Sequence, residues 1–332
     1  MLKKQVLKSA CGKIGLVLIL LFCGLLSLRF GSAELNNAEF FGGLFGKEGF
    51  ETARIILLEL RLPRALAAIV AGSGLSISGV LLQSVTGNEL ASPNIIGVNA
   101  GAGFFMVLML FFIPEAVYLR PFAAFVGAFL TTLLILSASS KGQFSKTTVI
   151  LCGVAITAVL NAGISFLTYL NPDVLMDYNF FSVGGVAGAE TEELILPAII
   201  VAFSGIVALI LSKQTDTLCL GDSLANSLGV NVKLLRVGCL ALAGLSAASA
   251  VSFAGLLGFV GLVVPHIARK ITDGSVGEML KVSVPLGGIL VVVADLIGRT
   301  LFAPSEIPVG VVMAFVGAPF LLYVVMRRGR NA

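Results

Sequence analysis

Long apolar runs separated by short polar stretches dominate the hydropathy pattern of this chain. A membrane-spanning helix needs about 20 apolar residues, and somewhat fewer where the surrounding protein buries its ends. By this measure the chain has ten candidate spans: Ile14–Phe30, Ala65–Ser84, Ile95–Ile113, Pro121–Ser139, Thr148–Leu170, Leu194–Ser212, Val237–Ala254, Leu256–Ala268, Ser283–Gly298 and Val309–Met326. The eighth is short and is closed by Pro265, so we expect a broken helix buried among its neighbours. The pattern predicts an all-α polytopic membrane protein with about ten transmembrane helices.

The N-terminus has the outline of a signal peptide, because four lysines precede the first apolar run: Lys3, Lys4, Lys8 and Lys13. No small-x-small cleavage site closes that run, and many further spans follow it. We therefore expect a retained first helix.

The composition agrees with a membrane protein. Hydrophobic residues make up 57% of the 332 residues and charged residues only 12%, whereas soluble proteins carry about 25% charged residues. This excludes a cytosolic enzyme, a disordered protein and a nucleic-acid binder. The 38 glycines suit closely packed membrane helices. Five scattered cysteines, without a CxxC pair, are expected to be packing residues.

The basic residues indicate how the chain is oriented. If the N-terminus is inside and ten spans follow, 15 of the 22 basic residues fall on the inner side, and seven fall on the outer side: Arg29, Lys47, Arg54, Arg61, Arg64, Arg120 and Arg299. Positive charge favours the cytoplasmic side. Both termini are therefore predicted to be cytoplasmic, in a bacterial plasma (inner) membrane. Because the loops are short and no linker is present, residues 1–332 are predicted to form a single transmembrane domain.

Three connecting segments are longer than the rest. Segment 31–59 is an outer loop, polar and acidic, and segment 171–193 is an amphipathic outer stretch. Segment 213–236 lies on the inner side. There Asp222 or Ser223 is able to cap a short helix, and Gly229 to end it in the left-handed conformation.

The inner segment is predicted to be a helix–turn–helix, with Asn231 capping its second part. It would present four apolar residues: Leu224, Ala225, Leu228 and Val232. Apolar residues on an exposed loop indicate a partner protein. The alternative is a loop that folds back onto the helix bundle.

Catalytic and ligand-binding motifs are missing from the sequence. There is no G-x-x-x-x-G-K-[ST] motif, so this chain is not expected to bind ATP itself. Neither H-E-x-x-H nor G-x-S-x-G occurs. We therefore predict no catalytic, cofactor or metal site. The single histidine, His266, is expected to cap or pack rather than to bind metal.

Asp295 is the one acidic residue that falls deep within a predicted span. A carboxylate inside the membrane is a functional candidate by default. However, Arg299 lies four residues later on the same helix face, so a structural Asp–Arg pair is the favoured interpretation.

Several motifs resemble the FecCD family of permeases from type II ABC importers. They are, in order along the chain, Arg61-Leu-Pro-Arg64, Gly72, Gly74, Ser78-Gly79, Gln83, Asn88-Glu-Leu-Ala-Ser-Pro93, Gly97, Gly101, Leu220-Gly-Asp222, Ser227-Leu-Gly-Val230, Gly258-Phe-Val-Gly-Leu-Val-Val-Pro-His-Ile-Ala-Arg269, Glu306-Ile-Pro-Val-Gly310 and Gly317-Ala-Pro319. The resemblance covers nearly the whole chain from Arg61 to Met326.

The resemblance implies the type II ABC importer permease fold and a set of partners. These are a second permease copy or paralogue, two ATP-binding subunits that hold ATP and Mg, an extracytoplasmic substrate-binding protein, and membrane lipid. It also implies coupling to the ATP-binding subunits through the inner segment, specifically through Leu220, Gly221, Asp222, Leu224, Ala225, Leu228 and Gly229.

The outer arginines are assigned by the same resemblance. In similar permeases, arginines at the positions of Arg61, Arg64 and Arg299 pair with glutamates of the binding protein, an arrangement suited to orientation and fast encounter. The alternative is that each side chain snorkels to the membrane interface.

An inner gate is also implied by the resemblance. Asn88 and Leu90 match residues near the inner mouth of the pathway, although Glu89 stands where the family usually has proline. Lys146 and Thr147 occupy the other inner-gate position.

The implied function is uptake of a ferric chelate. An iron-siderophore is favoured over haem because the sequence has no ladder of axial ligands, while haem and vitamin B12 stay as alternatives. An ion-coupled secondary transporter is a further alternative, but it would need several acidic residues inside the spans, and only Asp295 qualifies.

Overall fold

The computed structural model describes residues 10–140 and 146–329, and every regular element within these ranges is a helix. The α-helices are α1 (Ala10–Arg29), α2 (Asn37–Leu44), α3 (Glu51–Ile55), α4 (Leu62–Thr86), α5 (Val98–Phe112), α6 (Arg120–Ser140), α7 (Lys146–Leu170), α8 (Asp173–Val183), α9 (Thr191–Cys219), α10 (Asp222–Ser227), α11 (Val232–Ala254), α12 (Val260–Ile271), α13 (Val276–Thr300) and α14 (Val309–Gly329). A π-helical segment, Ile56–Arg61, joins α3 to α4, and short 3₁₀ turns precede α5 and α6. The lysines at positions 3, 4 and 8 lie outside the described residues.

All ten predicted spans coincide with helices, which confirms the all-α prediction. Among the described residues, seven helical stretches are long and apolar enough to cross a membrane: Gly12–Arg29, Glu51–Thr86, Val117–Ser139, Thr147–Leu170, Thr191–Cys219, Val232–Ala254 and Val276–Thr300. Two further apolar helices, Val98–Phe112 and Val309–Val324, are shorter. The eighth predicted span contains the 12-residue helix α12.

The break in the eighth span lies before α12 rather than at Pro265. Gly255 ends α11 with a positive φ of 66°, and Phe259 precedes α12 with a φ of 65°. Pro265 lies inside α12. Because α12 packs against α4, α13 and α14, tertiary contacts hold the helix together across a residue that lacks a backbone donor.

The outer segment 31–59 is largely helical, which corrects the expectation of a polar loop. Helix α2 begins with a capping box: the Asn36 side chain accepts a hydrogen bond from the Glu39 N–H at 2.9 Å, and the Glu39 carboxylate accepts one from the Asn36 N–H at 2.7 Å. After α2, helix α3 and the π-helical segment extend α4 outward by about three turns. The second span is therefore longer than its apolar run.

Helix α4 is the centre of the bundle. It packs against α9, α11, α12 and α13, and 83% of the apolar window in the stretch Glu51–Thr86 is buried, compared with 6% for α1. Small residues form its closest crossings, since Gly72 lies against Gly287 of α13 and Gly79 against Gly261 of α12. This is how membrane helices approach closely.

Replacing Gly72 with alanine is expected to destabilise the bundle. A Cβ atom at this position would lie 2.1 Å from the Gly287 carbonyl oxygen and 2.5 Å from its carbonyl carbon, and backbone atoms have little freedom to move away. We expect a loss of about 1–3 kcal/mol in the free energy of unfolding, measured by denaturation in detergent. The matched control is Gly238→Ala in α11, where a Cβ atom meets nothing within 4 Å. Equal stability of the two variants would contradict close packing at Gly72.

Candidate functional site

The inner segment 213–236 folds into a short helix held between two long ones. Helix α9 continues to Cys219, so residues 213–219 are helical rather than part of a loop. Gly221 turns the chain with a φ of 116° and is the N-cap of α10, so neither Asp222 nor Ser223 is the cap residue. Two expectations are confirmed: Gly229 has a positive φ of 80°, and Asn231 caps α11 by accepting a hydrogen bond from the Leu234 N–H at 3.0 Å.

Asp222 pairs with Arg236 instead of capping the helix. As the first residue of α10, it accepts a hydrogen bond and ion pair from Arg236 at 2.7 Å. The Arg236 side chain is only 4% exposed. Since Arg236 belongs to α11, this pair fixes the short helix to the bundle. Sequence reasoning missed the pair because the two residues lie on opposite sides of a turn.

Only part of the predicted apolar face is exposed. Ala225 and Val232 are buried against the main core, which corrects the expectation that they are presented to a partner. Leu220, Leu224 and Leu228 are 67%, 48% and 62% exposed. Leu234, which sequence reasoning missed, is 70% exposed. We call Leu220, Leu224, Leu228 and Leu234 the inner apolar patch. One face of the segment therefore packs against the helix bundle, and the opposite face is exposed.

Arg61 closes the outer end of α1. Its guanidinium donates to the carbonyl oxygens of Leu28 at 2.8 Å and Arg29 at 2.9 Å, and also to that of Ala33. The last carbonyls of a helix have no partner within the helix, so a nearby arginine satisfies them. Arg61 is 4% exposed.

Arg64, Asp295 and Arg299 form a buried ionic cluster at the same end of the bundle. Arg64 binds both oxygens of the Asp295 carboxylate, with Nη2 at 2.8 Å and Nε at 2.9 Å from Oδ1, and Nε at 3.1 Å from Oδ2. The expected pair between Asp295 and Arg299 is present, with Nε at 3.3 Å from Oδ2. Asp295 therefore bridges two arginines and is itself 1% exposed.

Two residues from elsewhere in the chain extend this cluster. The Glu306 carboxylate accepts a hydrogen bond from Arg64 Nη1 at 2.7 Å. Ser27 of α1 accepts hydrogen bonds from Arg299, one through its carbonyl oxygen at 2.7 Å and one through its hydroxyl. Burial raises the pKa of Glu306, but hydrogen bonds from Ser32 and Arg64 and the charges of the arginines outweigh it, so the net pKa is lowered. We call Arg61, Arg64, Asp295, Arg299 and Glu306 the outer arginine cluster; it ties together α1, α4, α13 and the loop after α13.

The outer arginines are therefore held by partners within the chain. Arg61 and Arg299 are 4% and 2% exposed, and the Arg64 side chain is 13% exposed. They border an open outer cavity of about 720 Å³ that also has acidic residues in its wall: Glu59, Glu190, Glu192 and Glu306. The outer face at this point is thus of mixed charge.

Asn88 and Leu90, the predicted gate residues, form a turn after α4. Gly87 ends that helix with a φ of 62°, and the Asn88 side chain accepts a hydrogen bond from the Leu90 N–H at 3.0 Å. Both are half-buried, whereas Thr147 is exposed in the first turn of α7. The side chain of Lys146 lies outside the described residues. The inner gate stays a prediction.

Residues that often bind metals are dispersed in the described part of the chain. Among residues 10–140 and 146–329, no group of three or more His, Cys, Asp or Glu side chains is placed to hold a metal ion. Cys23, Cys152, Cys219 and Cys239 form no disulfide within the described part of the chain. The His266 ring is buried and packs edge-on against Phe320, with ring centroids 5.5 Å apart.

Comparison with known proteins decides the family. The model of the FecCD transport family matches residues 19–327. The chain belongs to the FecCD family. This confirms the resemblance read from the motifs, and a FecCD protein is a multi-pass membrane transport protein rather than an enzyme.

Full-length relatives of this FecCD chain transport several forms of iron. The Fe(3+)-citrate import system permease protein YfmE of Bacillus subtilis is 33% identical over 319 residues, covering 95% of both chains. The hemin transport system permease protein HmuU of Yersinia pestis is 33% identical over 323 residues, again covering 95% of both chains. The iron(3+)-hydroxamate import system permease protein FhuG of Bacillus subtilis is 34% identical over 313 residues, covering 91% of this chain and 92% of its own.

Solved structures share the fold. An inward-facing metal-chelate type ABC transporter matches with a TM-score of 0.84 and 28% identity, over 95% of this chain and 98% of its own. PsaBC from Streptococcus pneumoniae, in complex with Fab, matches with a TM-score of 0.59 and 18% identity. The match covers 86% of this chain and 94% of the PsaBC chain. The second likeness concerns the fold alone.

Proposed function

We propose that this FecCD protein is the permease subunit of an ATP-driven ABC importer that takes up a ferric chelate, namely an iron-siderophore. The observation that carries the proposal is the alignment along nearly the whole chain with permeases named for ferric citrate, ferric hydroxamate and hemin. Haem and vitamin B12 are the alternative substrates within the same class.

The proposed topology has ten membrane crossings with both termini in the cytoplasm, in a bacterial inner membrane. Seven long apolar helices support it directly. The remaining three crossings would be α5, α12 and α14. Eight of the twelve residues of α12 are buried, so it needs neither the length nor the surface of a lipid-facing helix. Residues 1–332 would then form one transmembrane permease domain.

The proposed partners are two ATP-binding subunits, a second permease copy or paralogue, a substrate-binding protein and membrane lipid. In this proposal the partner subunits supply the ATP and Mg sites, and no cofactor binds to this chain. The inner apolar patch supports docking of an ATP-binding subunit, because its leucines are exposed on and beside the short helix α10, which the Asp222–Arg236 pair holds against α11. Exposed apolar residues along α7, such as Leu151, Val154 and Val159, suit contact with lipid or with a second copy.

Docking of the binding protein on Arg61, Arg64 and Arg299 stays a prediction. Each arginine already has partners within the chain, so pairing with glutamates of another protein would need an exchange of partners. Arg64 is best placed for such an exchange, because its second carboxylate partner, Glu306, is 30% exposed.

Siderophore uptake is favoured over haem uptake by the surroundings of the single histidine. A haem pathway is expected to offer axial ligands such as histidine, but His266 is buried against Phe320. Ion-coupled transport is disfavoured as well, because Asp295 is neutralised by two arginines and is not available to bind a coupling ion.

The experiment is reconstitution into proteoliposomes together with the partner ATP-binding subunits and the binding protein. Uptake of labelled ferric hydroxamate, ferric citrate, haem and cobalamin is compared with and without ATP. We expect ATP-dependent uptake of the ferric siderophore, abolished when the phosphate-binding lysine of the ATP-binding subunit is replaced. Uptake driven by an ion gradient without ATP would overturn the proposal, and ATP-dependent uptake of haem or cobalamin alone would move the substrate to that alternative.

A further inference from the structure

An apolar groove of about 670 Å³ runs along the bundle between α1 and α9. Helix α1 packs on α13, and α9 packs on α4 and α13, so the groove lies between the two outer helices. Residues of all four helices line it, among them Ile14, Leu18, Ile77, Val201, Gly205 and Val284. The volume is within the range of ordinary ligand pockets.

Charge is confined to one end of this groove. Lys13 of α1 and Lys281 of α13 line that end, and no acidic side chain is among the described residues that line the groove. The Glu278 carboxylate forms ion pairs with both lysines, at 2.7 Å from Lys13 Nζ and 3.0 Å from Lys281 Nζ. One carboxylate against two ammonium groups leaves one net positive charge at the end of an otherwise apolar channel.

We propose that the groove binds an acidic phospholipid, with an acyl chain along its apolar length and the phosphate at Lys13 and Lys281. The proposal rests on the proposed function for its orientation, which places the N-terminal end of α1 at the cytoplasmic leaflet. Acidic lipids are concentrated in that leaflet, and lysines near its surface attract them. A lysine ammonium has three hydrogen-bond donors, so both lysines are able to bind a phosphate while they remain paired with Glu278.

A second permease copy is a poorer occupant of the groove. It would bury two lysines that share a single carboxylate, and an incompletely paired buried charge is costly. A lipid phosphate instead supplies the missing negative charge and leaves the lysines at the water boundary, where their hydrocarbon stems line the groove.

The test is native mass spectrometry of the full chain with its copurifying subunits, after addition of phosphatidylglycerol or phosphatidylcholine. We expect the wild type to retain phosphatidylglycerol preferentially, and the double variant Lys13→Gln, Lys281→Gln to lose about fivefold in that preference for each lysine. The matched control, Lys213→Gln with Lys233→Gln, removes two exposed lysines of the inner face that do not line the groove. It is expected to behave as the wild type.

A second readout locates the lipid. Phosphatidylglycerol with a photoreactive acyl chain is expected to cross-link to α1 and α9, and Ala202→Phe, which fills the groove, is expected to abolish these cross-links. Equal retention of the two lipids, equal losses in both lysine pairs, or cross-links outside the four helices that line the groove would overturn the proposal. Separation of paired copies by Ala202→Phe would overturn it too, by identifying the groove as an interface. Because binding needs neither ATP nor a chelate, its failure is distinct from a failure of transport.

Discussion

Asp295→Asn is expected to lower the free energy of unfolding of this permease by about 3–5 kcal/mol. The carboxylate is 1% exposed and is the shared partner of Arg64 and Arg299, so its loss leaves the buried Arg299 without a carboxylate partner and Arg64 with Glu306 alone. An asparagine of the same shape keeps a hydrogen-bond acceptor but removes the negative charge. The measurement is denaturant unfolding of the purified protein in detergent.

Two variants separate the charge effect from a general loss of packing. Glu306→Gln removes the other carboxylate of Arg64, which is 30% exposed, and is expected to cost no more than about 1 kcal/mol. Asp295→Glu retains the charge and is expected to recover part of the stability. If Asp295→Asn unfolds at the same denaturant concentration as Glu306→Gln, the cluster is not what holds the outer ends of α4 and α13 together.

Leu224→Ser combined with Leu228→Ser is expected to release the ATP-binding subunits and to abolish uptake. Leu224 belongs to α10 and Leu228 is its C-cap residue, about half or more of each is exposed, and Asp222 pairs this helix with Arg236. Truncating an apolar anchor costs about 1–3 kcal/mol of contact, so the double variant is expected to lose at least about tenfold in affinity. The measurements are copurification of the ATP-binding subunits and ATP-dependent uptake in proteoliposomes.

The matched control for this variant is Asn226→Ser, an exposed polar residue of the same helix. It is expected to retain subunits and uptake, and all variants are expected to unfold as the wild type does. Binding of the chelate to the isolated binding protein needs no inner contact and is expected to be unchanged. Full association and full uptake in the double leucine variant would mean that the segment is a connector only.

Local sequence determined the elements that depend on a few neighbouring residues. Each of the ten apolar runs marked a segment that contains a helix, because the transfer of a residue into an apolar environment depends on its own side chain. Gly229 and Asn231 marked the turn and the cap around α10 and α11, because these effects act within about four residues. The i,i+4 spacing of Asp295 and Arg299 indicated their pair in the same way.

Only the tertiary structure decided what each exposed or charged residue faces. Ala225 and Leu228 are both apolar residues of the inner segment, yet one is buried and the other is 62% exposed. Arg64 lies 231 residues from Asp295 in sequence, and the pair exists because α4 packs against α13. Which charges form pairs and which side chains are buried therefore depends on which helices pack together. The sequence therefore determined that the chain is helical and where its apolar helices lie. Packing decided that Arg64 pairs with Asp295 of α13, that Arg61 and Arg299 bind the end of α1, and that the inner leucines are exposed.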